Sequence, residues 1–172
     1  MAVRLNQNDL VIVMGVSGCG KSTTAAHLSR QTGWTMIEGD HLHTQANKSK
    51  MEAGIPLTHS DRLPWLDAIV ATVNADKNGP LILACSALNK AIRDYLAERV
   101  ERACCWILLE LPEQQLLQRL EQRQDHFMPS SLLQSQLEAL DPPLDAIRLD
   151  GTLPTPQLSA ALLTALNERI DQ

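Results

Sequence analysis

Five short apolar runs divide the chain, at residues 10–14, 34–38, 81–85, 104–111 and 146–149. Leu10-Val11-Ile12-Val13-Met14 contains no polar position, the pattern of a parallel strand covered on both faces. Between the runs the apolar spacing changes to three and four. Residues 61–75 carry Leu63, Leu66, Ile69, Val70 and Val73, residues 112–123 carry Leu116, Leu117 and Leu120, and the last segment places Leu158, Leu162, Leu166 and Ile170 four apart. Helices are also predicted over 21–31, 89–99 and 130–140. Strands alternating with helices predict right-handed crossovers and an α/β fold, a five-stranded parallel sheet flanked by helices. Two stretches, 41–60 and 124–141, fall outside the alternation and read as binding loops or a lid. With no internal repeat, the 172 residues form one predicted domain, with a helical lid inserted at about 119–141.

The first strand runs into Gly15-Val16-Ser17-Gly18-Cys19-Gly20-Lys21-Ser22, a complete G-x-x-x-x-G-K-[ST] phosphate-binding loop, and a helix follows. Its glycines let the main chain approach a ligand closely, and successive N–H groups form an anion nest at the positive end of a helix. Lys21 is placed to reach the outer phosphates and the Ser22 hydroxyl to ligate Mg²⁺. A nucleoside triphosphate is the expected ligand, and the motif leaves the phosphate acceptor open.

Composition narrows the partners. The net charge of −5 argues against nucleic acid, which usually meets a basic face. No run approaches the ~20 apolar residues of a membrane span, and the short run at 10–14 is no signal-peptide core, so a cytoplasmic protein is expected. Cys19, Cys85, Cys104 and Cys105 show no metal-ligand spacing. The last three lie in apolar runs and read as core residues. Cys19, beside a helix N-terminus, reads first as a small residue fitting the loop, with thiol reactivity as a rival.

Ligands of an open parallel sheet bind outside the carboxyl ends of its strands. Asp40, in Gly39-Asp40-His41-Leu42-His43 after the second strand, is therefore expected in the same crevice as the phosphate loop. There it can hold Mg²⁺ or accept a proton from an acceptor hydroxyl; the rival role is a helix cap. His43 suits a hydrogen bond to a polyhydroxylated acceptor. Ser86 follows the third strand to the same edge. Arg62 and Arg93 together suit a clamp on a carboxylate or phosphate. Arg119 and Arg123 share a helix face ahead of Asp125-His126-Phe127-Met128-Pro129, and on a closing lid they would stabilise charge on a transferred phosphoryl group.

Taken together, these blocks resemble the gluconate kinase family, small phosphate-loop kinases. The resemblance spans nearly all of residues 10–143. It rests on the loop, Gly39-Asp40-His41-Leu42-His43, Asn47 with Lys50-Met51, Gly54-Ile55-Pro56-Leu57-Thr58 and Asp61-Arg62-Leu63-Pro64-Trp65-Leu66. Cys85-Ser86-Ala87-Leu88, Arg93-Asp94, His126-Phe127-Met128 and Leu132-Leu133-Ser135-Gln136-Leu137 complete it. The resemblance implies a fold like that of nucleoside monophosphate kinases, and transfer from ATP, with Mg²⁺, to the terminal hydroxyl of D-gluconate in a homodimer. Lys21, Asp40, Arg119 and Arg123 would be catalytic, Gly15 to Ser22 would hold the nucleotide, and Ser22 and Asp40 the metal. Asp40, His43, Arg62, Ser86, Arg93 and His126 would meet the substrate. Thr44, Ile92 and Asp125 depart from the family's usual Pro, Tyr and Gly. A shikimate-type kinase on the same scaffold and a nucleotide-dependent regulatory switch are the rival readings.

Overall fold

A computed structural model describes residues 5–123 and 130–170; the side chains of Ser130 and Ile170 are not described. Strands β1 (Asp9–Met14), β2 (Thr35–Glu38), β3 (Leu81–Ala84), β4 (Ala103–Glu110) and β5 (Ile147–Asp150) form one parallel sheet in the order β2-β3-β1-β4-β5. Helices α1 (Lys21–Thr32), α2 (Gln45–Glu52), α3 (His59–Ala75), α4 (Lys90–Arg99), α5 (Glu113–Glu121), α6 (Leu133–Ala139) and α7 (Thr155–Ile170) connect and flank it. The five expected strands all form. Helix α2, inside the stretch assigned to a loop, was not expected.

Alternation along the strands explains their unbroken apolar runs. Val11 and Val13 face one layer, built from α1, α5 and α7 through Leu28, Leu116, Leu158 and Leu162. Leu10, Ile12 and Met14 face the other, built from α3 and α4 through Leu66, Ile69, Val73, Ile92 and Leu96. Both faces of β1 are closed, so neither tolerates a polar position. Cys85 and Cys105 are buried and Cys104 half-buried, and all the cysteines are free.

Strand order fixes the position of the phosphate loop. Because β1 is central, residues 15–20 emerge at the middle of the carboxyl edge. The segments after β2 and β3 lie to one side of the loop. Those after β4 and β5 lie to the other.

Candidate active site

The phosphate loop is built as its sequence demands. Gly15, Gly18 and Gly20 adopt φ of 140°, 84° and 98°, values that side chains disfavour. A Cβ on Gly15 would lie 2.8 Å from Cys19 Sγ and 3.1 Å from the Leu109 carbonyl. The Cys19 thiol is buried, filling the space behind the loop, which favours the packing role over a reactive one. Gly20 starts α1 without a side-chain cap, leaving first-turn N–H groups to an outside acceptor. This cradle fits an anion. Lys21 Nζ rests on the Val16 carbonyl at 3.1 Å, folded back over the loop.

Two cavities open on opposite sides of the loop. The first, on the β2/β3 side, is lined by Lys21 and Ser17, and by Asp40, His43, Arg62 and Ser86. Asp40 sits in a 3₁₀ turn whose cap is Glu38, which accepts from the Asp40 N–H at 3.3 Å. Its carboxylate is therefore not the cap and remains on the cavity. Gly39 makes that turn possible: a Cβ there would lie 2.6 Å from the Ala84 carbonyl. Trp65 Nε1 donates to the Gly39 carbonyl at 2.8 Å, fastening the turn to α3.

The Trp65 ring also stacks on His43, centroids 4.3 Å apart and 11° from parallel. Burial lowers the His43 pKa to about 4, helped by Lys48 and Arg62 and opposed by Asp40, so the imidazole is neutral near pH 7. Arg62 is half-buried, and desolvation lowers its pKa. It makes no hydrogen bond or ion pair with any described residue. Its neighbour Asp61 is engaged instead, with Thr58 in a capping box and with Lys50 Nζ at 2.8 Å. These bonds hold the Asp61 carboxyl at about 2.

Sequence reasoning paired Arg93 with Arg62. The structure separates them. Arg93 is 5 % exposed and does not line the cavity. Its guanidinium donates to the carbonyls of Ala87 and Leu88, both at 3.1 Å, with Asp141 at 3.9 Å. Ala87 has a φ of 44°, and the preceding Ser86 carbonyl accepts from the Gly15 N–H at 3.3 Å. Arg93 thus secures the turn that carries Ser86 and abuts the phosphate loop.

The second cavity, on the β4/β5 side, is lined by Gly18, Cys19 and Gly20 with Arg119, Arg123 and Gly151. Arg119 donates to the Gly18 and Cys19 carbonyls at 3.4 and 3.5 Å and to the Gly151 carbonyl at 3.0 Å. These bonds stitch α5, the loop and the turn after β5 together. They seat Arg119 in this cavity, and Arg123 lines it too, whereas Lys21 lines the first. Ser22 is exposed on the first turn of α1. His126 lies outside the described residues. No cluster of three or more His, Cys, Asp or Glu among the described residues is arranged for a metal.

Two residues were given no role from sequence. Gln136, on α6, accepts the Ser17 N–H on Oε1 at 2.7 Å, reaching the phosphate loop across the first cavity. Asn47, on α2, is buried at 3 % exposure and donates to the Asp61 carbonyl at 2.7 Å. Their membership in the blocks that carry the resemblance was the available signal; neither spacing nor residue type marked them out.

Comparison with known proteins adds to this geometry. Residues 10–143 match the family model described as an AAA domain. The chain is 41% identical to the gluconokinase of Gluconobacter oxydans over 148 residues, 82% of each chain. It is 37% identical to the thermosensitive gluconokinase of Escherichia coli, over 81% of this chain and 77% of that one. A gluconokinase crystal structure from Sinorhizobium meliloti superposes with a TM-score of 0.82 at 38% identity, covering 96% and 97% of the two chains. Shikimate kinase from Aquifex aeolicus gives 0.58 at 16% identity, a likeness of fold alone.

Proposed function

We propose, from the premise that the chain belongs to the gluconokinase family, that it transfers a phosphoryl group from ATP to the terminal hydroxyl of D-gluconate. The observation that carries this reading is Arg62, a half-buried cation with no hydrogen-bond or ion-pair partner among the described residues, on a cavity shared with Asp40 and Lys21. A desolvated guanidinium favours an anionic ligand, and the carboxylate of a sugar acid supplies one. With the carboxylate on Arg62, the terminal hydroxyl lies towards Asp40 and the phosphate loop.

Asp40 orients that hydroxyl and takes its proton as the oxygen attacks the outer phosphorus of ATP. The bond from that phosphorus to the bridging oxygen breaks, and ADP departs with the electron pair. Lys21 and the loop N–H groups stabilise charge on the phosphoryl oxygens. Arg119 and Arg123 hold the donor nucleotide from the other cavity rather than meeting the transferred group. Ser86 lines the acceptor cavity, and Arg93 acts on it through the turn it secures. Leu132 and, on helix α6, Ser135 and Gln136 line the acceptor cavity, the described part of the segment expected to act as a lid.

The Ser22 hydroxyl and the Asp40 carboxylate are hard oxygen donors of the kind Mg²⁺ takes, and they are the residues that would hold it. When bound, the ion neutralises charge on the donor phosphates. No helix among the described residues is long and apolar enough to cross a membrane. The resemblance implies a homodimer, which sedimentation tests.

ADP release measured with gluconate beside glucose, shikimate and AMP tests the activity. Turnover with gluconate, and a KM for gluconate raised roughly 10–100-fold in Arg62→Gln, supports the reading, that range being the worth of one charged hydrogen bond. Turnover that ignores gluconate overturns it.

A further inference from the structure

The acceptor cavity holds one imidazole whose protonated nitrogen can be deduced. Asn47 Nδ2 lies 2.7 Å from the Asp61 carbonyl, an atom that can only accept. That bond fixes which end of the Asn47 amide is the NH₂ group. The same Nδ2 faces His43 Nδ1 at 3.4 Å. A donor facing Nδ1 requires a lone pair there, so the proton of a neutral ring resides on Nε2. The ring has little freedom to escape this choice. Trp65 stacks on its face, and Thr44, the next residue, caps α2 by accepting the Asn47 N–H at 3.1 Å. Asn47 is itself buried, at 3 % exposure.

We propose that Asn47 is a positioning residue that locks His43 in its Nε2–H tautomer, making His43 an obligate hydrogen-bond donor to the sugar acid. The inference rests on the acceptor reading of the first cavity for its functional half. Its tautomer half stands without that reading.

The chemical consequence is a recognition wall made of donors. His43 Nε2–H and the Arg62 guanidinium both offer N–H groups and no acceptor, so together they select an oxyanion or an oxygen lone pair. An acceptor with an ammonium group or a hydrogen in that position leaves both half-buried donors without a partner. His43 also cannot act as the general base, because its one lone pair is engaged by Asn47. Proton acceptance is left to Asp40.

The charged groups around the ring act in both directions. Asp40, in the same turn, favours the imidazolium; Lys48 from α2 and Arg62 from α3 oppose it. Burial decides the balance and keeps the ring neutral down to about pH 4. The stack on Trp65 adds no charge. Hence His43 remains the same donor throughout the neutral range.

Nitrogen-15 NMR of the histidine rings in the intact protein, with His43 assigned by His43→Gln, reads the tautomer directly. The expected spectrum shows Nδ1 unprotonated and Nε2 protonated, unchanged between pH 5.5 and 8. An Nδ1–H tautomer, or titration within that window, overturns the proposal. Neither result depends on which sugar acid is the substrate. In Asn47→Asp the new carboxylate accepts from Nδ1–H, so the His43 pKa should rise into the neutral range. Above that pKa the neutral ring keeps its proton on Nδ1 and has none on Nε2 to give, so gluconate kcat/KM should fall about tenfold or more, the loss of one hydrogen bond, and should recover at lower pH, where the imidazolium donates from both nitrogens. A folded Asn47→Asp variant with a wild-type pH profile would also overturn it. If that variant fails to fold, the wild-type spectrum still decides.

Discussion

Replacing Arg93 with Met separates two roles for a buried cation that sequence alone could not distinguish. Methionine keeps the stem's volume and removes the guanidinium. The Ala87 carbonyl then loses the only described partner it has, while the Leu88 carbonyl keeps the Asp141 N–H at 2.8 Å. One orphaned buried carbonyl costs about 1–3 kcal/mol, and the lost charge-assisted bonds bring the expected total to about 3 kcal/mol. The Asp141 contact adds little, because that carboxylate is 70% exposed and 3.9 Å away. In a chain of this length about 3 kcal/mol lowers the melting temperature by roughly 6–12 °C. Calorimetry supplies that number, and steady-state kinetics supplies the second readout. Because Ser86 and Gly15 are joined through the same turn, kcat should fall along with stability, and the gluconate KM should change less. A variant that melts within about 2 °C of wild type but needs roughly tenfold more gluconate would refute the bracing role and return Arg93 to the acceptor pocket.

Other outcomes follow from the same geometry. Lys21→Ala should reduce turnover roughly 10²–10³-fold with the fold intact, as expected for removing one preorganised donor; a mild loss would place phosphate charge elsewhere. Gln136→Ala frees the Ser17 N–H and should tighten nucleotide binding several-fold by isothermal titration, about 1 kcal/mol. Weaker binding would show that the glutamine assists the nucleotide instead. The Asp61 carboxyl is held at about 2, below its ordinary 3.8, so its contribution is complete above that ordinary value and lost as pH falls through 2. Helicity followed down an acid titration should show this loss in the wild type, and Asp61→Asn should remove that part of the pH dependence. Cys19 is buried behind the loop, so alkylation should be slow with or without ATP, as mass spectrometry would show; rapid labelling relieved by ATP would contradict its packing.

The elements most readable in the sequence were those whose local pattern and burial agree. Strand β1 is apolar at every position from Leu10 to Met14 because both faces are covered. The glycine loop announced itself because only that backbone can make the cradle. Helix α2 was invisible for the opposite reason. Its sequence QANKSKME buries only Asn47 and Met51, and what holds it is non-local: the Asn47 bond to the Asp61 carbonyl and the Lys50 pair with the Asp61 side chain. The surroundings of the arginines were hard to read for a similar reason. A guanidinium satisfies backbone carbonyls as readily as a ligand, and no pattern in the chain reveals that the Ala87, Gly18 or Gly151 carbonyls need a donor. Arg62, which has no such carbonyl to serve, is the one whose expected place on the acceptor cavity agrees with the structure.

The bond from the Ser17 amide to Gln136 changes what nucleotide arrival means energetically. The loop does not wait bare and hydrated at that point. A carboxamide oxygen already stands in as placeholder, so an incoming phosphate oxygen gains the difference between two acceptors instead of a whole new bond. A phosphate oxygen that took this amide would displace the Gln136 oxygen from it, so nucleotide binding would bear on the seating of α6 beside the acceptor cavity.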